Sequence, residues 1–195
     1  AIYSAHTNYD IAPGGLNDFL AHKLGVKDTS PLQITTIKEL KKLVVFVPQD
    51  ALKEIREVLG AAEAGCLGNY SYSSFYQAGT GTFKPLAASN PYQGEVGQVN
   101  KVEEYRLETI VEEDKLDRVI DKLKQAHPYE EVAYDIYALE NEGDKLGYGR
   151  IGYLDAKINA GDYLTEVKAE LELETVKFIG DLNAEVNKEP VLALY

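Results

Sequence analysis

Apolar residues recur along the chain at two spacings, and each spacing predicts a different kind of element. Continuous apolar runs predict buried strands over residues 1–5 and 43–48, and alternation predicts strands over 102–111 and 132–139. Helical spacing predicts four amphipathic helices. Their expected core positions are Leu16, Phe19, Leu20 and Leu24; Leu52, Ile55, Val58 and Leu59; Leu116, Val119, Ile120 and Leu123; and Leu164, Val167 and Leu171.

The middle of the chain reads as a β-α-β-β-α-β unit. Residues 65–86 are rich in Tyr, Ser and Gly, which predicts one or two strands with a long hairpin between the first helix and the strand at 102–111. With two helices and a sheet of its own, the stretch from 43 to 139 is typical of a ferredoxin-like plait and is expected to fold by itself.

The segments on either side of this plait look incomplete. We interpret residues 26–42 as a connector, and we predict a helix over 162–173 with Asp162 as N-cap and short strands over 176–179 and 190–194. Neither flank would form a domain alone. The prediction is therefore an α/β protein with an α+β insertion: residues 1–42 and 141–195 belong to one split domain, and 43–140 is the inserted plait.

Composition narrows the classes of function. The formal net charge of −12 repels phosphate backbones, so we expect no nucleic-acid partner. One cysteine excludes a disulfide framework and a cysteine-rich zinc site, and no apolar run reaches membrane-spanning length. We therefore expect a cytoplasmic protein with no membrane partner. The chain contains no Met and begins inside a predicted strand, so we expect either a fragment or a partial copy of a longer sequence.

Candidate chemistry follows the first predicted strand. His6 and Asp10 are metal ligands by type and can also transfer protons. Their spacing would suit a helix, but Pro13-Gly14-Gly15 favours a loop. From spacing alone, the alternative stays open that His6 ends the strand with its hydrogen bonds satisfied and that Asp10 caps the next helix.

Two further stretches carry polar or aromatic groups. The Gly79–Thr82 segment could bind an anion through backbone N–H groups, or it could form a hairpin turn. Residues 127–135, HPYEEVAYD, form the polar cluster of the plait, for which a helix cap followed by a strand start is the alternative to a site.

These motifs resemble a known family. YSAHTNYDIAPGGLNDFLAHKLG is similar to the first-half motif of the GTP cyclohydrolase 1 type 2 homologue family, also called the NIF-three-like family. GNYSYSSFYQAGTGTFKPL, NPYQGEVGQVNKVEEYR and HPYEEVAYDIYAL resemble the inserted plait of its long bacterial members, which is similar to PII and CutA-type domains. GYGRIG and FIGDLN resemble the return to the second half.

The resemblance implies a toroidal homohexamer with two divalent metals per chain, which could be Zn, Mn or Fe. Asp10 matches the family's metal ligand, and His6 would lie beside the metals to orient substrate or move a proton. The family's other ligands are a His-His pair upstream and a His and Glu on a late helix. Neither motif occurs in this sequence, so we expect at most a partial site.

The reaction implied by the resemblance is hydrolysis of a small, nucleotide-like molecule by a metal-activated water. The alternative is a ring-shaped regulator or scaffold without catalysis, whose PII-like insert senses a small ligand or binds partners. In that case the loop over 65–86 would bind the ligand, with Tyr70, Tyr72, Thr80 and Thr82 as binding residues and with Phe75 and Tyr76 adding contact area. The alternative for the four aromatic residues is that they pack the sheet and an oligomer interface.

Overall fold

The computed structural model describes residues 6–192, so the strand predicted over 1–5 lies outside the described residues. The chain divides into two compact units. The central unit is Lys38–Gly143, and the flanking unit combines Ala1–Ile37 with Asp144–Tyr195. The elements are α1 (Thr7–Ile11), α2 (Leu16–Lys23), β1 (Lys27–Pro48), α3 (Leu52–Ala61), β2 (Ser74–Phe83), β3 (Asn100–Glu112), α4 (Leu116–Ala126), β4 (Tyr134–Asn159), α5 (Ala160–Glu170) and β5 (Glu185–Val191).

The central unit has the predicted β-α-β-β-α-β order, formed by the second half of β1, then α3, β2, β3, α4 and the first part of β4. The strands lie in the order β2-β3-β1-β4, and β3 pairs antiparallel with both β1 and β2. Both helices pack on one face of the sheet. Their shared core contains Leu43, Val45, Val47, Ile55, Leu59, Leu107, Val111, Val119, Ile120 and Leu123.

The flanking unit contains α1, α2, α5, β5, the first half of β1 and the second half of β4. β5 pairs antiparallel with β4, with a register irregularity between Tyr153 and Ile158. A small core of Ala21, Val26 and Val191 is supported by Leu20, Leu24 and Leu154. The hydroxyl of Tyr163 donates a hydrogen bond to the carbonyl of Leu24, 3.1 Å away, which ties α5 to the end of α2.

The connector predicted over 26–42 is wrong. β1 begins at Lys27 and continues without interruption into the buried run at 43–48. The first half of this strand is exposed on both faces, so its side chains show no alternation. Its backbone contacts come from β4 of the same unit, where Gly147 approaches the carbonyl of Gln33. Backbone pairing of this kind leaves no trace in a hydrophobic pattern.

The predicted flank helices exist, but their details differ. Phe19 is 57% exposed, whereas Asn17 and Ala21 form the buried side of α2. The last helix begins after Asn159, so Asp162 lies in its first turn and is not its N-cap. Residues 176–179 form no strand, and the last strand described is β5. Within residues 6–192, no helix combines the length and apolarity needed to cross a bilayer.

Candidate functional site

Asp10 is the buried acidic residue of α1. It is 4% exposed, and its Oδ1 atom has no hydrogen-bond partner among residues 6–192. An ionised carboxylate oxygen buried in this way is costly unless a donor or a cation neutralises it. The donor chemistry of Asp10 therefore fits a divalent cation, for which a carboxylate is an ordinary ligand.

The segment that carries Asp10 is a short helix, so the predicted loop is wrong for Thr7–Ile11. The backbone N–H of His6 donates to Oδ1 of Asn8 at 2.8 Å, and the N–H of Tyr9 donates to the carbonyl of His6 at 2.9 Å. These bonds start the helix, and Pro13-Gly14-Gly15 follows its end. His6 is the exposed N-cap residue, whereas Asp10 is buried one turn later.

Gly15 allows the chain to fold back from α1 into α2. A Cβ atom at this position would lie 2.0 Å from the carbonyl oxygen of Tyr9 and 2.9 Å from that of Ala12, which no side chain can tolerate. The close approach lets Asn17 reach back to the site. Its Nδ2 donates to the backbone carbonyl of Asp10 at 3.1 Å.

An ion pair between buried Arg150 and half-buried Asp18 lies beside this turn. Nε of Arg150 donates to Oδ1 of Asp18, and Nη2 donates to Oδ2 at 2.9 Å. Arg150 is 5% exposed. Burial alone would raise the pKa of Asp18, but the hydrogen bonds from Arg150 and from the N–H of Gly14 outweigh burial and hold that pKa below its ordinary value. The pair is therefore charged at neutral pH.

The remaining predicted binding residues lie in the central unit and do not share one cavity. Tyr70 is 75% exposed, and Tyr72 borders a depression of only about 10 Å³ next to α3. Thr80 lines a separate depression of about 230 Å³ with Phe46, Gln77, Ala78, Gly79, Gly81, Glu104 and Arg106. Thr82 and Thr80 are part of β2, opposite Lys101 and Glu103 of β3. The Gly79–Thr82 segment is thus a strand, so the hairpin turn considered for it is wrong.

In the polar cluster predicted at 127–135, the side chains of His127 and Tyr129 are hydrogen-bonded within the protein. Nε2 of His127 lies 3.0 Å from the carbonyl oxygen of Phe46, and the N–H of Tyr129 donates to Nδ1 of His127 at 3.2 Å. The hydroxyl of Tyr129 donates to Glu104 at 2.8 Å. These contacts join the end of α4 to β1 and β3, which agrees with the cap-and-strand alternative.

Sequence reasoning missed Arg150 and Asp18. The only signal for Arg150 was its place in GYGRIG, a motif whose spacing says nothing of a partner in α2. Within the described part of the chain, no three His, Cys, Asp or Glu side chains cluster closely enough to hold a metal. The described residues therefore assemble no metal site by themselves, and Asp10 is the one residue among them that the family resemblance predicts as a metal ligand.

Comparisons with known proteins agree with the motif resemblance. A family model described as Duf34/NIF3 (NGG1p interacting factor 3) matches residues 1–192. A relative from Halalkalibacterium halodurans named GTP cyclohydrolase 1 type 2 homolog is 47% identical over 191 residues, which cover 98% of this chain and 51% of the relative. A Bacillus subtilis relative of the same name is 42% identical over 192 residues, covering 98% and 52%.

Comparison with a solved structure points to the same family. The crystal structure of a Bacillus cereus protein related to NIF3 superposes with a TM-score of 0.85 at 45% identity, over 96% of this chain and 50% of that one. The chain spans about half the length of the relatives that it matches. The family inferred from the HTNYD, GYGRIG and FIGDLN motifs is confirmed, and the chain belongs to the Duf34/NIF3 family.

Proposed function

We propose that this chain contributes Asp10 to a divalent-metal centre in a hydrolase of small, nucleotide-like substrates. The observation that carries the proposal is the buried Oδ1 atom of Asp10, which has no hydrogen-bond partner among residues 6–192. A cation bound at this atom would neutralise the buried charge, and its binding would offset the destabilising effect of the unpaired carboxylate.

The chemistry of the Asp10 carboxylate determines which metals suit the proposed centre. A carboxylate suits Zn, Mn and Fe alike, so the residue does not select among them. Two metals per chain follow from the family resemblance, and Asp10 is the one ligand that we propose among the described residues. When bound, a pair of divalent cations would supply Lewis acidity and an activated water for hydrolysis.

The chain's own residues have separate roles in this proposal. Asp10 holds a cation with its buried carboxylate, and His6, exposed at the start of α1, orients the substrate or transfers a proton. The name that the relatives carry, GTP cyclohydrolase 1 type 2 homolog, suggests ring opening of GTP, but a shared fold and name do not fix the substrate. We therefore keep the substrate class at a small nucleotide-like molecule.

The assembly belongs to the same proposal. We expect a ring-shaped homo-oligomer, a hexamer by family resemblance, in which the central unit is a PII- or CutA-like insert in a split domain. A cytoplasmic setting fits a chain with one cysteine, because disulfides characterise secreted proteins.

The experiment is a Mn²⁺ titration of the whole protein, followed by electron paramagnetic resonance, with Asp10→Asn as the test variant. Asp162→Asn is the matched control, since Asp162 is an exposed aspartate in the same unit. We expect Asp10→Asn to lose Mn²⁺ binding and metal-dependent turnover across a panel of nucleotides, and the control to keep both. Retention of metal and of turnover in Asp10→Asn would overturn the proposal.

A second candidate is a non-enzymatic regulator that binds a small ligand in the central unit. The depression of about 230 Å³ beside β2, which Thr80 and Arg106 line, favours it. Calorimetry of the whole protein with a nucleotide panel tests this candidate. We expect binding that Thr80→Val weakens, with Thr165→Val in α5 as the control. An absence of heat across the panel would reject it.

A further inference from the structure

One constraint on the Asp10 segment comes from Arg150, which lies in β4, far from α1 in sequence. Resting on the function proposed above, we propose that Arg150 is the positioning residue of the metal centre: through Asp18 and Ala12 it holds the segment that presents Asp10.

Arg150 is a buried residue and does not lie on the surface. It is 5% exposed, and its Nη1 donates to the carbonyls of Gly147 at 3.1 Å and Gly149 at 2.7 Å. These contacts fix the guanidinium on β4. Its other edge is then aimed at Asp18, whose carboxylate it meets as a two-pronged fork.

Asp18 and Arg150 are both hydrogen-bonded to the segment after α1. Oδ2 of Asp18 accepts a hydrogen bond from the N–H of Gly14 at 2.7 Å. Nη2 of Arg150 also donates to the carbonyl of Ala12 at 3.5 Å. Arg150 and Asp18 therefore bind the backbone on both sides of Pro13.

Asp10 itself is hydrogen-bonded to α2. Asn17, adjacent to Asp18 in α2, donates its Nδ2 to the backbone carbonyl of Asp10 at 3.1 Å. The carbonyl side of Asp10 and the segment that follows it are thus held from α2 and β4, while Oδ1 keeps no partner among the described residues. A ligand residue whose backbone is already held by other parts of the protein binds a metal more tightly, because less conformational entropy is lost on binding.

Arg150 could instead act only as a structural staple between β4 and α2. The two roles differ in what a conservative change does. Lysine keeps the positive charge but cannot reproduce the fork to Asp18 together with the bonds to three carbonyls. A staple would then lose stability alone, whereas a positioning residue would also lose metal affinity in protein that remains folded.

The experiment measures Mn²⁺ affinity by electron paramagnetic resonance on the whole protein for wild type, Asp10→Asn, Arg150→Lys and Asp18→Asn. The control is Asp155→Asn, which breaks the exposed ion pair between Lys27 and Asp155 in the same unit. Hydrogen exchange of the Gly14 amide in metal-free protein is recorded in parallel, and circular dichroism confirms folding.

We expect Arg150→Lys to weaken Mn²⁺ binding roughly 10- to 100-fold and to speed exchange at Gly14, with no change in the control. If Arg150→Lys does not fold, Asp18→Asn, which keeps the shape of the side chain, gives the same readouts. Unchanged affinity in a folded Arg150 or Asp18 variant, while Asp10→Asn loses binding, overturns the positioning role and leaves the proposed function standing. Wild-type affinity in Asp10→Asn overturns both.

Discussion

The ring of Tyr72 lies directly against Gly60 in α3. A Cβ atom at position 60 would come within 2.0 Å of Cδ1 and 2.5 Å of Cγ of that ring. Tyr72 also has a φ of +59°, a left-handed conformation that costs a residue with a side chain about 1–3 kcal/mol. The contact helps to offset this cost, so the aromatic residue that we expected to bind a ligand packs on a helix.

Gly60→Ala tests this contact. Alanine favours a helix over glycine by about 1 kcal/mol, but the methyl group would displace the Tyr72 ring, and overpacking of this kind typically costs about 1–3 kcal/mol. We expect a net loss of stability in urea unfolding. In a Tyr72→Ala background the clash is gone, so the same substitution should stabilise. A stabilising effect of Gly60→Ala in the wild-type background would contradict the contact.

His127 predicts a loss of stability in mild acid. Burial lowers the pKa of His127, and the hydrogen bond to Phe46 and the charge of Glu104 offset this only in part. The unfolded chain therefore takes up the proton first, so the contribution of His127 is complete above about pH 6.5 and falls as the pH drops from there towards the lowered folded value.

The measurement is the free energy of unfolding between pH 8 and 5 for wild type and His127→Gln. Glutamine can donate and accept but does not titrate, so we expect its curve to lack the decline that starts near pH 6.5. His22→Gln is the control, since His22 is exposed on α2. Parallel pH curves for wild type and His127→Gln would show that His127 does not carry this effect.

The ion pairs of Glu112 predict a second loss of stability, at more acidic pH. Its carboxylate pairs with Lys38 and, at 3.1 Å, with Lys115. Burial opposes ionisation, but the hydrogen bonds from the two lysines prevail and lower the pKa of Glu112 below its ordinary value near 4.5. This contribution is complete above about pH 4.5 and is lost as the pH falls through the lower folded pKa.

Glu112→Gln should therefore destabilise the protein by about 1.5–3 kcal/mol at neutral pH, because Lys38 and Lys115 lose a charged acceptor. Urea unfolding at pH 7 and pH 3 checks this, and the difference from wild type should shrink at the lower pH. Glu39→Gln is the control, since Glu39 is 74% exposed and its pair with Lys41 should contribute little. An equal loss for both variants would contradict the argument.

Where burial is continuous along an element or along one face of it, the sequence predicted the structure well. The strand over 43–48 and the α4 positions Val119, Ile120 and Leu123 lie in one core, as expected from their spacing. A hydrophobic pattern records which side chains leave water, so elements that bury a whole face can be read directly. The family could also be recognised, because its motifs are local.

The site could be predicted only in part. Asp10 was a candidate from its residue type, but its burial and its Oδ1 atom without a partner among the described residues depend on how α1 and α2 meet at Gly15. The predicted binding residues Tyr72 and Thr80 border different depressions, a separation that residue type and spacing could not reveal.

The amino-acid sequence by itself determined the core elements, the family and the candidate carboxylate. The tertiary structure alone decided that β1 extends back to Lys27, that Arg150 meets Asp18 and that Tyr72 packs on Gly60. The physical reason is the same in each case. Backbone pairing, charge pairing and close approach join residues distant along the chain, and they leave no periodic hydrophobic signal at either residue.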